Sequence, residues 1–275
     1  MADGVKKASK AFELDAKIMA DINNDHNSTN SLFNHVIFFI HGVENDGTIP
    51  NTLVKSLNKH LSNCVIKPLS YGSLPYYRCI FNKQRKKVVS DFLQDNKAII
   101  ESSDYSNIEV SFICHSCGTQ IFSEIISNLS IPFLKYIIFC GSIVNRKYDF
   151  NKNIFFINKN SKVINECGSK DCIPSIAASI TRNDLFDSSG SSKGFTSGLQ
   201  RVHDRHHNCG HNDFFKEDFI KRFWVPIFED NDIVLNSNYQ PNKRISAFHK
   251  IVERINLYHL WKIILLLIIG FWWLC

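Results

Sequence analysis

The stretch Val110-Ser111-Phe112-Ile113-Cys114-His115-Ser116-Cys117-Gly118 decides the fold. It begins as a largely apolar run of strand length and ends in a short turn, after which the pattern is helical. A strand that turns sharply into a helix exposes the residue at the apex of the turn, which here is Ser116. The free N–H groups of the following helix would also point at an anion beside that serine. The stretch therefore predicts a nucleophilic serine.

Apolar runs of strand length alternate with helical stretches along most of the chain. Predicted strands cover residues 35–40, 64–68, 108–113, 135–140, 153–158 and 162–164, and predicted helices cover 5–22, 50–61, 86–101, 117–129 and 213–228. Continuous apolar strands are typical of parallel strands that are covered on both faces. The alternation predicts an α/β fold, in which a mainly parallel central sheet is flanked by helices.

Composition limits the class of protein. The chain has 275 residues, of which 44% are hydrophobic, and this suits one globular domain with a sizeable core. The net charge of +6 is mild and the basic runs are not interleaved with aromatic residues, so we expect no nucleic-acid partner. Nine scattered cysteines fit a reducing compartment. Residues 1–7 lead into no apolar core of a signal peptide, so we expect the catalytic domain in the cytoplasm.

A nucleophilic serine needs a base and an acid that orients the base. His211 lies on a predicted loop just before a helical stretch, and we choose it as the base ahead of the other nearby histidines, His203, His206 and His207. Asp171 lies in a short loop after the predicted strands and is our choice of acid. Glu166 is the reserve candidate for the acid.

Donors for an oxyanion are predicted on two loops. His41-Gly42 directly follows the first predicted strand, and glycine lets the backbone turn so that the N–H of Val43 faces the serine. The second donor is the N–H of Cys117 at the start of its helix. Losing one such donor typically costs about 2.7–4 kcal/mol of barrier. His41, Gly42 and Gly118 are predicted to support these two donors.

These residues resemble the α/β-hydrolase superfamily, in particular its serine esterases and lipases, where the chain order is serine, acid, histidine. The resemblance spans about residues 35–225 and rests on four short motifs: His41-Gly42, the elbow at Ser116, Gly168-x-x-Asp171 and Gly210-His211. It implies hydrolysis of an ester, thioester or amide through an acyl-enzyme, without a cofactor. The chain departs from the usual Gly-x-Ser-x-Gly at Cys114, and it lacks the outer antiparallel strands at its start, which implies a minimal version of the fold.

Two other interpretations of these residues stay open. A serine between a strand and a helix can simply cap the helix. Four histidines and a cysteine within residues 203–211, with other cysteines, could also ligate zinc. Because Gly210 would break the helix that His207 and His211 need in order to share a face, we predict no metal site.

The last 19 residues, 257–275, form a nearly uncharged apolar segment. As a helix it would span about 28 Å, close to the ~30 Å of a bilayer core. Its tyrosine and tryptophan residues would lie at the two interfaces, and basic residues precede it. We predict a single-pass C-terminal membrane anchor with the catalytic domain in the cytoplasm. The alternative is a helix that is buried on the domain or in a homo-oligomer.

The predicted organisation has four parts: an N-terminal helix and polar linker (1–30), the catalytic domain (31–229), a linker and basic juxtamembrane segment (230–256) and the transmembrane tail (257–275). A tethered hydrolase meets membrane substrates at high local concentration, so we expect a lipid or acyl ester as the substrate. The 22 phenylalanines would line an acyl pocket or simply fill the core. The alternative function is a non-catalytic scaffold with this fold, or an assembly protein that acts on membranes.

Overall fold

Six strands form the centre of the computed structural model, which describes residues 33–42, 48–69, 82–102, 105, 107–155, 159–181, 189–197 and 200–229. The strands are β1 His35–Ile40, β2 Cys64–Leu69, β3 Glu109–His115, β4 Leu134–Cys140, β5 Lys162–Gly168 and β6 Val202–His207. The helices are α1 Thr48–Asn58, α2 Asn82–Ile100, α3 Cys117–Ile125, α4 Ile173–Thr181 and α5 Gly190–Lys193. Short helical turns are Ile126–Asn128, Asn151–Phe155, Asp213–Phe215, Glu217–Phe219, Ile220–Trp224 and Val225–Phe228, and the last four together are called the 213–228 segment.

All six strands are parallel and follow the order β2-β1-β3-β4-β5-β6. Every residue of β1 is buried, as expected for a central strand with both faces covered. Its side chains alternate between two cores. Val36, Phe38 and Ile40 pack in the core that includes residues of α2 and α3, whereas Ile37 and Phe39 pack in the core of α1 and the 213–228 segment. The predicted α/β class, a parallel sheet flanked by helices, is therefore confirmed.

The direction in which the chain adds strands reverses between β1 and β3. From β1 the chain moves outward to β2, and from β3 it moves the other way to β4, β5 and β6. In open parallel sheets, ligands bind in the crevice at such a switch point, beyond the carboxyl ends of the strands. His41 and Gly42 follow β1, and Ser116 follows β3, so the fold places the predicted elbow and the predicted oxyanion loop side by side.

The prediction of a strand at 153–158 is wrong. Residues Asn151–Phe155 form a helical turn, and 156–158 lie outside the described residues. A short apolar run does not by itself distinguish a strand from a buried helical turn. The carboxylate of Asp149 accepts a 3.0 Å hydrogen bond from the N–H of Lys152, and this capping contact stabilises the helical alternative.

Strand β6 was not predicted, because Val202–His207 has no apolar run. It lies at the edge of the sheet and carries charged residues that pair with β5, among them Asp204, which accepts a 2.7 Å hydrogen bond from the Asn165 amide. His203, His206 and His207 therefore lie on a strand. Across the described residues, no group of three or more His, Cys, Asp or Glu side chains is placed to hold a metal ion.

Two predicted segments cannot be compared with the fold. The amphipathic helix at 5–22 and the apolar tail at 257–275 lie outside the described residues. Among the helices that are described, none combines the length and the apolar character that crossing a bilayer requires.

Candidate active site

Ser116 lies at the sharp turn between β3 and α3. Its φ of 52° and ψ of −121° make it the one non-glycine residue with positive φ in the described part of the chain. Such a conformation costs of order 1–3 kcal/mol and persists only where surrounding contacts enforce it. Here the Ser116 N–H donates to the Cys140 carbonyl at 3.0 Å. The Ser116 carbonyl accepts from the N–H and the hydroxyl of Thr119, at 3.0 and 2.6 Å. Local strain is thus held at the predicted nucleophile.

The hydroxyl of Ser116 does not act as a helix cap. Although Ser116 is the residue before α3, its side chain makes no capping hydrogen bond within the described structure. It lies instead against the loop that follows β1. A Cβ atom built on Gly42 would lie 2.8 Å from Cβ of Ser116 and 3.4 Å from its Oγ. The close approach of this loop to the serine therefore requires glycine at position 42.

Two neighbours of Ser116 in sequence explain how the turn packs. A Cβ atom on Gly118 would overlap the carbonyl oxygen of Ile40 and lie 2.6 Å from that of His41, so α3 packs directly on the end of β1. Cys114 replaces the first glycine of the usual motif. Its side chain is fully buried in the core, and its carbonyl accepts a 3.4 Å hydrogen bond from the Cys140 thiol. The core therefore has room for this departure.

Asp171 and His211, which are 40 residues apart, form a hydrogen-bonded pair. Oδ2 of Asp171 lies 2.8 Å from Nδ1 of His211. The other oxygen, Oδ1, accepts a 3.2 Å hydrogen bond from the N–H of Ile173, the first residue of α4. Because a carboxylate can only accept, the Nδ1 of His211 carries the proton, and the Nε2 of the neutral ring keeps its lone pair. This is the tautomer that a general base beside a serine needs.

Backbone contacts hold the loops of this pair together. The Ser169 N–H donates to the His207 carbonyl at 2.8 Å, and the Lys170 N–H donates to the Cys209 carbonyl at 3.0 Å. A Cβ atom on Gly168 would lie 2.8 Å from the same Cys209 oxygen. The parallel pairing of β5 and β6 therefore continues into the two loops and brings the acid to the histidine.

Gly141 was missed by the sequence analysis, although it contacts the pair. Its φ is +58°, and a Cβ atom there would lie 2.8 Å from both Cε1 and Nδ1 of His211 and 3.1 Å from Oδ2 of Asp171. The preceding residue, Cys140, accepts the Ser116 N–H. The loop after β4 therefore contacts both the elbow and the acid–base pair. A signal was present, since a glycine directly after an apolar strand is the pattern that singled out Gly42.

Glu166, the reserve acid, is held elsewhere. It is fully buried on β5, where Arg205 pairs with both of its oxygens, Nε2 of His207 lies at 2.6 Å and the Trp224 indole donates at 2.9 Å. Burial alone would raise the pKa of Glu166, but the charge of Arg205 and the contacts with His207 lower it to about 2. The structure brings Asp171 to His211, and it commits Glu166 and His207 to one another.

Two further histidines lie close to the elbow. Nδ1 of His41 donates to the carbonyl of Gly42 at 2.6 Å, and burial lowers the pKa of His41. Nε2 of His115 lies 3.2 Å from the carbonyl oxygen of His211, and the two rings are 4.6 Å apart. Burial, followed by the nearby charge of His211, lowers the pKa of His115 well below its usual value. Both rings are therefore neutral at neutral pH.

The two predicted oxyanion donors differ in what can be described. Cys117 is the first residue of α3, directly after Ser116, so its backbone occupies the predicted place at the helix start. Val43 lies outside the described residues. The oxyanion role of each N–H stays a prediction.

No protein-family model and no curated protein matches the chain. Solved structures with a similar fold include a cutinase-like protein from Cryptococcus sp. (8% identity, TM-score 0.43, covering 74% of this chain and 97% of that one). A metagenome-derived lipolytic enzyme is similar at 10% identity and a TM-score of 0.43, covering 71% and 94% of the two chains. An alpha-beta serine hydrolase homologue from Coxiella burnetii has 14% identity and a TM-score of 0.38, covering 69% and 83%. The six-stranded parallel sheet of this chain is that of a minimal α/β-hydrolase fold.

Proposed function

We propose that this protein is a serine hydrolase that cleaves carboxylic esters through an acyl-enzyme. One observation carries the proposal: buried Asp171 accepts from Nδ1 of His211, while Ser116 occupies a strained elbow at the same edge of the sheet. Gly141 supports the combination, since its loop contacts the pair and follows the residue that accepts the Ser116 N–H. A purely structural Asp–His pair would not need the strained serine beside it.

In the proposed reaction, the Ser116 hydroxyl attacks the ester carbonyl and Nε2 of His211 takes its proton. The oxyanion of the tetrahedral intermediate is bound by the N–H groups of Cys117 and Val43. The intermediate collapses, and the alcohol leaves with the proton from His211. Water then attacks the acyl-enzyme, His211 takes the proton of that water, and the carboxylic acid is released as Ser116 regains its hydrogen. Asp171 holds the imidazole tautomer through both steps.

The substrate we propose is a lipid or acyl ester. The proposal rests on the apolar segment 257–275, which would tether the catalytic domain to a membrane and raise the local concentration of such esters. The reaction needs no cofactor, because the proton transfers and the covalent step use only side chains of the protein.

An activity-based fluorophosphonate probe tests the proposed nucleophile. The wild-type protein should be labelled and should hydrolyse p-nitrophenyl butyrate, and Ser116→Ala should lose both properties while it keeps its thermal unfolding temperature. Ser123→Ala is the matched control, because Ser123 lies on α3 and its hydroxyl donates only to the Gln120 carbonyl of the same helix. Labelling that persists in Ser116→Ala would refute the assignment. A folded wild-type protein that is neither labelled nor active would favour the non-catalytic scaffold.

The membrane tether is tested separately on the full chain. Flotation with phospholipid vesicles should recover the wild-type protein in the lipid fraction. A double substitution, Leu266→Arg and Ile268→Arg, should leave it in the aqueous fraction, because each charge at the centre of a spanning helix costs about 2.5–3.5 kcal/mol. Leu266→Val with Ile268→Val is the control. Equal flotation of the charged variant would exclude the tail as the anchor.

A further inference from the structure

The ring of His115 touches three loops that carry the proposed catalytic groups. His115 is the residue before Ser116 and so belongs to the elbow itself. Its Nε2 lies 3.2 Å from the carbonyl oxygen of His211, on the loop of the base. Its Nδ1 faces the loop after β1, since a Cβ atom built on Gly42 would lie 3.2 Å from it. One buried ring therefore joins the elbow, the base loop and the predicted oxyanion loop.

The direction of the hydrogen bond assigns the proton on this ring. A backbone carbonyl can only accept, so Nε2 of His115 is the donor to His211. Burial opposes a second proton and lowers the pKa of His115 well below its usual value, so Nδ1 stays unprotonated at neutral pH. The ring acts as a neutral donor to the main chain of His211.

Aromatic contacts hold the ring of His115 from two sides. The His211 ring lies 4.6 Å from it, and the Phe215 ring meets it edge to face at 4.9 Å. Phe215 in turn packs at 5.7 Å against Phe39 of β1 and at 5.9 Å against Trp224. His115 thus connects the loop of His211 to the rigid core beneath it.

We propose that His115 is a positioning residue, which fixes the main chain of His211 so that its imidazole stays in place for Ser116. This rests on the proposed function. Asp171 holds the imidazole through Nδ1, and His115 holds the peptide group of the same residue, so the base is held at both ends. A displacement of about 1 Å at a reacting group can cost roughly 100-fold in rate.

A pair of variants of similar size separates the hydrogen bond from the packing. His115→Gln keeps an N–H donor, whereas His115→Met has a side chain of similar length that donates none. We expect His115→Met to lower kcat for p-nitrophenyl butyrate by about 10- to 100-fold, with KM changed less than about 3-fold. His115→Gln should recover most of that loss. His203→Met, on the edge strand β6, is the control and should match the wild type.

Equal losses in the Gln and Met variants would overturn the proposal, because packing alone would then explain them. An unchanged kcat in His115→Met would overturn it as well. Thermal unfolding monitored by circular dichroism verifies that each variant is folded. If His115→Met does not fold, His115→Phe supplies a second variant without a donor, and it keeps an aromatic ring against His211.

A second readout does not depend on hydrolysis. The proton between His211 Nδ1 and Asp171 should give a low-field NMR resonance, and its exchange with solvent reports how firmly the pair is held. We expect faster exchange in His115→Met and near wild-type exchange in His115→Gln. If the wild type hydrolyses no ester but follows this pattern, the proposed function fails and the positioning role stands. Identical exchange in all three proteins would overturn the positioning role.

Discussion

A Cβ atom on Gly141 would lie 2.8 Å from two atoms of the His211 ring, because a φ of +58° turns the loop after β4 against the imidazole. The contact means that a side chain at position 141 and the observed place of the imidazole exclude each other. Glycine is also the residue that adopts this φ without steric cost.

Gly141→Ala should therefore displace His211 from Asp171 and lower kcat by about 100-fold. The measurement is the steady-state rate of ester hydrolysis, together with the rate of fluorophosphonate labelling. Gly210→Ala is the matched control, since a Cβ atom there would meet only the Asp213 carboxylate at an ordinary 3.4 Å. Full activity in Gly141→Ala would show that His211 does not act from the position described.

Gly118→Ala should destabilise the fold rather than only the chemistry. The added methyl would overlap the Ile40 carbonyl and lie 2.6 Å from the His41 carbonyl, and these are backbone atoms of a buried strand end that cannot rotate away. Overpacking typically costs 1–3 kcal/mol, so we expect the free energy of unfolding to fall by about 3 kcal/mol. Urea denaturation measures this, with Ser123→Ala on the same helix as the comparison. A wild-type midpoint would contradict the close packing of α3 on β1.

Cys114→Gly would restore the usual first glycine of the elbow motif, and we expect it to lower stability without raising activity. The Cys114 side chain is fully buried in the core, so its removal leaves a void and gives a strand residue more freedom in the unfolded chain. The expected loss is about 1–3 kcal/mol in urea denaturation. Cys114→Ala should lose less. A gain in both stability and activity would mean that the cysteine side chain crowds the elbow.

Glu166→Gln should be strongly destabilising. It removes the anion that pairs with Arg205, His207 and the Trp224 indole, and it leaves the buried guanidinium uncompensated. Breaking a buried ion pair typically costs 3–5 kcal/mol, which urea denaturation should detect. Asp91→Asn, which removes the exposed pair with Lys87, should change stability by less than about 1 kcal/mol. Similar effects of the two substitutions would contradict the role assigned to Glu166.

The same carboxylate predicts how stability depends on acid. The pKa of Glu166 is about 2 in the fold against an ordinary 4.5, so between these pH values the unfolded chain binds more protons than the folded one. Stability therefore falls as pH drops from 4.5 toward 2, with a slope of up to about 1.4 kcal/mol per pH unit from this group. Glu166→Gln should have a shallower slope over that range. Parallel curves for the two proteins would place the acid sensitivity elsewhere.

The fold class could be predicted from the sequence because its signals are local. β1 and β4 are apolar runs bounded by polar or small residues, and the run at Ser116 contains a strand, a turn and a helix start within nine residues. The errors also have a local cause. The helical turn Asn151–Phe155 has the same short apolar run as a strand, and the edge strand Val202–His207 has none, because its pairing depends on charged partners on β5.

The sequence by itself determined the strand–turn–helix around Ser116, the glycine after β1 and the order of serine, acid and histidine, because each lies within a few consecutive residues. Only the tertiary structure decided between Asp171 and Glu166. The two carboxylates are five residues apart in sequence, but Glu166 lies on β5 with its side chain in the core, whereas Asp171 follows the strand and meets His211. Only the tertiary structure also revealed Gly141 and His115 as contacts of the base. Their partners lie 70 and 96 residues away, and pairing of parallel strands, which leaves no local sequence pattern, brings them together.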